Sequence, residues 1–303
     1  MGTADKFRYK LQTATVVEKL IAINVICFIL FFLAKTVAFL FQWPSDFLLE
    51  WFVFPKELGE YVFKPWSIIT YSFLHSGIWH ILSNMLILYY AGIYFLQYFS
   101  PKKLLTFYFM GVILGALVYM LSYNLFPAFA GTGKSYLVGA SAGVMAVLVG
   151  IATHVPNLRI RLFFLGNIKF WYIAAFLVLL DIIQIPISNS GGHLAHLGGA
   201  LFGYVYAGQL KKGNDIAGGF EKVISGFLSY FEGGGSKTKS RMRTVYRKPS
   251  KSSTATTAAT APGISKTEKQ EKIDAILDKI SKSGYDSLTK QEKDFLFQAG
   301  KDN

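Results

Sequence analysis

The sequence predicts an all-α polytopic membrane protein, and three observations carry that reading. Hydrophobic residues make up 52% of the 303 and charged residues only 16%, against roughly 25% charged in a soluble domain. Apolar stretches that approach the ~20 residues of one bilayer crossing recur six times along the chain. The basic residues gather at the ends of those stretches and in the C-terminal tail, where 18 of the 31 Lys and Arg follow residue 210. A net charge of +13 distributed in this way belongs to topology and lipid contact, not to a phosphate-tracking groove, so no nucleic-acid partner is expected. The single cysteine, Cys27, excludes an intrachain disulfide and argues against a cysteine metal site.

The first apolar run, residues 19–41, follows Lys6, Arg8 and Lys10. It is too long for a signal-peptide core and lacks a small-residue cleavage site, so it reads as a retained span. Further spans are expected at residues 78–98, 104–125, 138–155, 168–187 and 194–210, all helical because lipid offers no partner for a free backbone group. Lys102, Lys103, Arg159, Arg161 and both basic tails fall on one side. Both termini are therefore expected in the cytoplasm, with spans two, four and six starting at the outer face of a cell membrane. Residues 42–76 are too many for a simple connector. With Trp43, Trp51 and Trp66 among them, they are expected in the outer interface.

The polar residues inside these spans form a pattern. Ser141 stands within Gly139-Ala140-Ser141-Ala142-Gly143 near the outer end of span four, and His196 near the outer end of span six. Gly139 and Gly143, then Ala146 and Gly150, are spaced four apart, and Ala195, Gly199, Gly203 and Ala207 form a stripe on span six. Such small-residue faces let two backbones pack closely, and alone they mean packing. His80 and Asn84 share one face of span two. Together the four residues fill the roles of acyl transfer. Ser141 is the candidate nucleophile, His196 the general base and then acid, and His80 and Asn84, with the Ser141 backbone N–H, the oxyanion donors. Asp181, the one carboxylate in the middle of a span, is either a functional acid or a hydrogen-bonded acid facing the bundle. No acid is placed by sequence to complete a triad, so a Ser141–His196 dyad is the economical reading.

These residues resemble the rhomboid family of intramembrane serine proteases over roughly residues 16–210. Gly139-Ala140-Ser141 is similar to the family's G-x-S motif, Ala195-His196-Leu197-Gly198-Gly199 to its A-H-x-x-G helix, and His80 with Asn84 to its H-x-x-x-N signature. The resemblance implies a six-helix rhomboid-like bundle with a Ser141/His196 dyad and a His80/Asn84 oxyanion site. It also implies cleavage of single-span membrane proteins near the outer ends of their spans, with no metal or cofactor. Trp66-Ser67, Ala142 and Met145 depart from the Trp-Arg, Gly and aromatic residue common at those places. A non-catalytic rhomboid-like protein that binds membrane clients stays open as an alternative. So does a metal-dependent protein using His193 with His196, or His75 with His80, although no H-E-x-x-H occurs.

The sequence divides into a membrane domain at 1–210, a connecting stretch at 211–266 and a small cytoplasmic helical hairpin at 267–303. Ile216, Phe220, Val223, Ile224, Phe227, Leu228 and Phe231 recur at helical spacing, as in an amphipathic helix lying on the inner leaflet. The basic cluster from Lys237 to Lys251 is either a contact for anionic lipid or a solvated linker. Residues 250–265 are Ser/Thr/Ala-rich and expected to be disordered. Thr289 followed by Glu292 is a capping box that opens the last helix.

Overall fold

The computed structural model describes residues 13–44, 49–162, 166–231 and 266–301, together with residues 2, 5, 9 and 10. The basic cluster and the Ser/Thr/Ala-rich stretch expected in the tail lie outside the described residues. Residues 1–236 form one unit and 237–303 another.

The first unit is a bundle of six principal helices. Helix α1 (Val16–Leu40) opens on a capping box, in which Thr15 Oγ1 accepts from Glu18 N at 3.2 Å while the Thr15 N–H donates back to Glu18. Two short helices follow, α2 (Leu58–Phe63) and α3 (Ser67–Thr70). Helix α4 (Ile78–Phe95) starts directly after Gly77. Helix α5 (Pro101–Leu125) begins with Pro101, preorganised for a first turn, and is capped by Ser100 Oγ on Lys103 N at 3.2 Å. The remaining three are α6 (Ser141–His154), α7 (Phe170–Gln184) and α8 (Ser190–Lys211). Three of the six, α1, α4 and α5, are long and apolar enough to cross a membrane by length and composition.

Helix α6 is the axis of the bundle. Its residues Ala142 to Ala152 are all buried, and α8, α5, α4 and α7 pack around it. At 14 residues it is ~21 Å long, short of the ~30 Å hydrocarbon core. It meets protein on every side and so need not match the lipid.

The contacts around α6 are made backbone to backbone. A methyl group added at Gly199 or Gly203 of α8 would lie far closer than van der Waals contact to the Ala142 or Ala146 carbonyl oxygen. One at Gly115 of α5 would lie 2.5 Å from the Ala142 Cβ and 2.8 Å from the Ala195 carbonyl oxygen. One at Gly143 would lie 2.8 Å from the Tyr108 carbonyl oxygen. Helices α5, α6 and α8 thus meet where all three carry small residues, which is how helices associate when lipid is as apolar as their side chains.

The expected span ends are met to within four residues, and two of the starts move for local reasons. Span four starts at Ser141 and not at 138, because Tyr136–Leu137 form strand β2, paired antiparallel with β1 (Phe54–Pro55). Span six starts earlier, at Ser190, after Asn189 adopts a left-handed conformation with φ 45°. Between α6 and α7 the chain makes an antiparallel pair, β3 (Arg159–Leu162) with β4 (Gly166–Lys169).

Helix α7 packs on α8 and α6 and buries only Phe170, Ala174 and Asp181. On its other side an apolar cavity of about 640 Å³, lined by Leu86, Tyr90, Tyr94, Ile173 and Leu177, separates it from α4.

The amphipathic helix expected here is present as α9 (Gly218–Phe231), with one of its faces on protein. Phe220, Ile224 and Leu228, one stripe at four-residue spacing, pack on the core, while Val223 and Phe227 are exposed. A polar clasp holds this end. Lys103 Nζ bonds Tyr206 Oη at 3.0 Å, Glu221 at 2.6 Å, and Asp215, which also accepts from Tyr206 Oη at 2.6 Å. Hydrogen bonds from Lys103 and Tyr206 hold the Asp215 carboxyl below its ordinary value of 3.8. Its contribution is therefore complete above that value and is lost as pH falls through the lowered one.

In the second unit, α10 (Lys266–Ser283) and α11 (Lys290–Lys301) form a hairpin. Thr289 and Glu292 exchange capping hydrogen bonds, the Thr289 N–H reaching Glu292 at 2.7 Å. Lys279 and the Thr289 cap together hold the half-buried Glu292 carboxyl down at about 2.

Two predictions follow from this packing. Gly199→Ala is expected to destabilise the detergent-solubilised protein by ~1–3 kcal/mol, the usual range for overpacking. Gly208→Ala, where a methyl meets nothing within 4 Å, is expected to be neutral or stabilising by up to ~1 kcal/mol, and thermal unfolding of both variants checks the contrast. At the clasp, Lys103→Ala is expected to raise amide exchange across α9 several-fold at pH 7, and Asp215→Asn by less because Glu221 keeps its partner. Hydrogen-exchange mass spectrometry reads both.

Candidate active site

Ser141 is the first residue of α6, so its N–H belongs to the four that a helix N-terminus leaves without an intrahelical acceptor. Its side chain is half-buried. The turn that delivers it requires glycine at one position. Gly139 has φ +122°, and a methyl group there would sit 2.8 Å from Cε1 and Nε2 of His80 and 3.5 Å from Ser141 Oγ. Only a hydrogen in that place lets the imidazole approach the serine turn. The turn is fixed by the Gly139 N–H, which donates to the Tyr71 carbonyl at 3.0 Å. Tyr71 is itself held by its hydroxyl, bonded to the Val112 carbonyl of α5 at 2.7 Å.

His80 has a defined tautomer. The Ser76 backbone N–H, which can only donate, meets His80 Nδ1 at 3.3 Å, and Ser76 Oγ lies 3.0 Å from the same nitrogen. Nδ1 is therefore the acceptor, and the ring proton resides on Nε2, on the edge of the ring that faces Gly139. Asn84 is buried one turn further along α4, and one of its Nδ2 hydrogens goes to the His80 carbonyl at 2.8 Å. Its second amide hydrogen is left for another acceptor.

His196 lies one turn before Gly199, the residue seated on the Ala142 carbonyl. The α6–α8 contact thus brings the N-terminal ends of the two helices together, and His80 and His196 are close enough for their charges to interact. Among the described residues no hydrogen bond joins Ser141 Oγ to His196. Such bonds are often long before substrate is bound and tighten in the reacting complex.

Asp181 is where the structure goes beyond the sequence. Its Oδ1 lies 2.7 Å from His196 Nδ1 and 2.8 Å from His193 Nδ1. The two imidazoles stand edge to face, 5.6 Å apart, and the carboxylate is buried, 7% exposed. A carboxylate thus faces His196, the candidate general base, where sequence alone placed none. The signal was visible, one carboxylate in an otherwise apolar helix, but its partner depends on how α7 leans on α8. These three side chains bring ligand atoms within 4.8 Å of one another, the one such group among the described residues. His75 is buried beside His80, ring to ring at 5.0 Å, while His80 Nδ1 is engaged by Ser76. Met145 is buried one turn below Ser141.

The sequence matches the family described as Rhomboid domain over residues 62–213, half of the chain and all of the site above. The chain belongs to the rhomboid family. Among curated relatives of that family, it is 32% identical to RHOMBOID-like protein 12, mitochondrial, of Arabidopsis thaliana, across 48% of this chain and 47% of that one. It is 31% identical to Presenilin-associated rhomboid-like protein A, mitochondrial, of Danio rerio, across 46% and 36%. It is also 33% identical to Inactive RHOMBOID-like protein 8 of Arabidopsis thaliana, across 27% and 23%. The aligned region thus spans half or less of the length of these relatives. A second match, to a family of unknown function (DUF6576), covers residues 264–299, which hold the α10–α11 hairpin.

The tautomer assignment can be checked without substrate. In detergent at neutral pH, ¹⁵N NMR of histidine-labelled protein is expected to show His80 with its proton on Nε2. Ser76→Pro, which removes the donating N–H, is expected to mix the two tautomers.

Proposed function

We propose that this rhomboid is an intramembrane serine endopeptidase that hydrolyses peptide bonds in or near the transmembrane segments of single-span membrane proteins. The observation that carries the reading is the Ser141 turn, where a hydroxyl opens a helix with its backbone N–H unbonded and the His80 Nε2 edge is admitted by Gly139.

In this reading Ser141 Oγ attacks the scissile carbonyl carbon and its proton passes to His196 Nε2. The carbonyl electrons move onto oxygen. The resulting anion is met by His80 Nε2–H, the Ser141 N–H, the spare Asn84 amide hydrogen and the positive end of α6. Collapse expels the amine, which takes the proton from His196, and water then releases the acyl group by the same route. Removal of one oxyanion donor typically costs ~2.7–4 kcal/mol of transition-state stabilisation, so His80→Ala is expected to leave about 1% of activity or less. All six bundle helices cross the bilayer in this proposal, with both termini cytoplasmic and Ser141 opening toward the outer side.

The alternative is a non-catalytic rhomboid that binds or escorts membrane clients. It is favoured by the match to a relative whose name carries the word inactive. Wild type and Ser141→Ala, purified and given a single-span reporter, separate the two readings. The protease reading expects cleavage by wild type alone and fluorophosphonate labelling at Ser141 that His196→Ala abolishes. Equal cleavage by both proteins overturns the Ser141 mechanism, and no cleavage by either, with no labelling of wild type, supports the client-binding reading.

A further inference from the structure

We infer that Asp181 is a positioning residue that makes the Ser141–His196 pair a triad, its carboxylate on α7 fixing the tautomer and orientation of His196 on α8. This rests on the protease reading and adds a residue that neither the motifs nor the family match assigns.

The argument starts from α7. The helix buries three residues, Phe170, Ala174 and Asp181, on one stripe. Two are apolar and pack. The third is an acid in a span, where an isolated carboxylate is expensive and a partner is expected. The partner is double. Asp181 Oδ1 stands 2.7 Å from His196 Nδ1 and 2.8 Å from His193 Nδ1, both within hydrogen-bond range. An ionised carboxylate oxygen can accept from both rings at once. In this proposal Asp181 is ionised and each ring carries its proton on Nδ1.

For His196 the consequence is chemical. With Nδ1 protonated and held, Nε2 is the unprotonated nitrogen, the form a general base needs. When Ser141 Oγ–H gives up its proton, Nε2 receives it and the ring becomes an imidazolium whose Nδ1–H still faces the carboxylate. Asp181 neither gains nor loses a proton, and the proton leaves with the amine. This is the division of labour in which a buried acid holds the imidazole in its working tautomer and stabilises the transient cation.

His193 has a supporting part. By sharing the same oxygen one turn earlier on α8, it gives the carboxylate a second partner and ties the first turn of α8 to α7.

The test compares wild type, Asp181→Asn and Asp181→Glu on the single-span reporter, together with ¹⁵N NMR of the histidines. An asparagine can turn its NH₂ toward Nδ1 and hold the ring in the wrong tautomer. Asp181→Asn is therefore expected to lose about 100-fold or more in kcat with KM changed less than about 2-fold, and the His196 signal to move toward the Nε2–H form. Asp181→Glu is expected to recover part of the loss. Wild-type kcat in Asp181→Asn overturns the proposal while leaving the Ser141 mechanism intact. Absence of Ser141-dependent cleavage in wild type instead defeats the protease reading on which it rests. Should Asp181→Asn fail to fold, the tautomer of His196 in wild type decides: Nδ1–H supports the triad and Nε2–H overturns it. Loss of wild-type activity on chelation, restored by zinc, also overturns it, because the same three side chains would then be holding a cation.

Discussion

The structure depends on the approach of α8 to α6 at backbone distance. Gly199 and Gly203 present only hydrogen to the carbonyls of Ala142 and Ala146, and these carbonyls are the first and second turns of the helix that begins with Ser141. In water, a contact of this kind would be one among many apolar ones. In lipid the solvent competes equally for apolar surface, so the advantage lies in dispersion between closely matched backbones. The constraint also sets chemistry. His196 and Gly199 are on one helix a turn apart, and Ser141 and Ala142 are adjacent, so the contact that joins the helices also brings together the ends that carry Ser141 and His196.

Around that contact, His80, Asn84 and His196 are each held by a neighbouring polar group. Tyr71 accepts from Gly139 and anchors itself on α5. Ser76 sets the proton on His80, and the His80 carbonyl occupies one hydrogen of Asn84. Asp181 does for His196 what Ser76 does for His80, from a different helix and with opposite polarity. Ser76 donates to a Nδ1 that must accept, and Asp181 accepts from a Nδ1 that must donate. The two imidazoles are thereby left with complementary Nε2 atoms, one carrying a proton and one lacking it.

Much of this was legible in the sequence because the membrane simplifies the problem. Hydropathy located the six helices, since lipid permits no other described form for an apolar run of that length. The spacing of Gly199 and Gly203 gave the packing face before any partner was known. What the sequence could not supply was tertiary. Strand β2 delayed the start of α6 to Ser141 because it pairs with Phe54–Pro55, more than 80 positions earlier. The stripe of Phe220, Ile224 and Leu228 was readable as amphipathic, but that it faces protein depended on Lys103 gathering Asp215 and Glu221. Asp181 stood out as a charge in an apolar helix, yet His196 and His193 lie 15 and 12 residues away, a separation with no periodic signature across a turn between helices.

The brevity of α6 has a consequence for where a bond could be cut. Its first residue is Ser141, its last is His154, and between them the helix falls short of the hydrocarbon thickness by about a third. If the helix is placed in a bilayer with His154 at one face, the hydroxyl lies beneath the other by a distance set by helix length. In the protease reading α6 acts as a depth gauge. Whatever the identity of a substrate's side chains, the peptide bond must be unwound at that level to meet the serine, and helical segments that stay wound there would pass untouched.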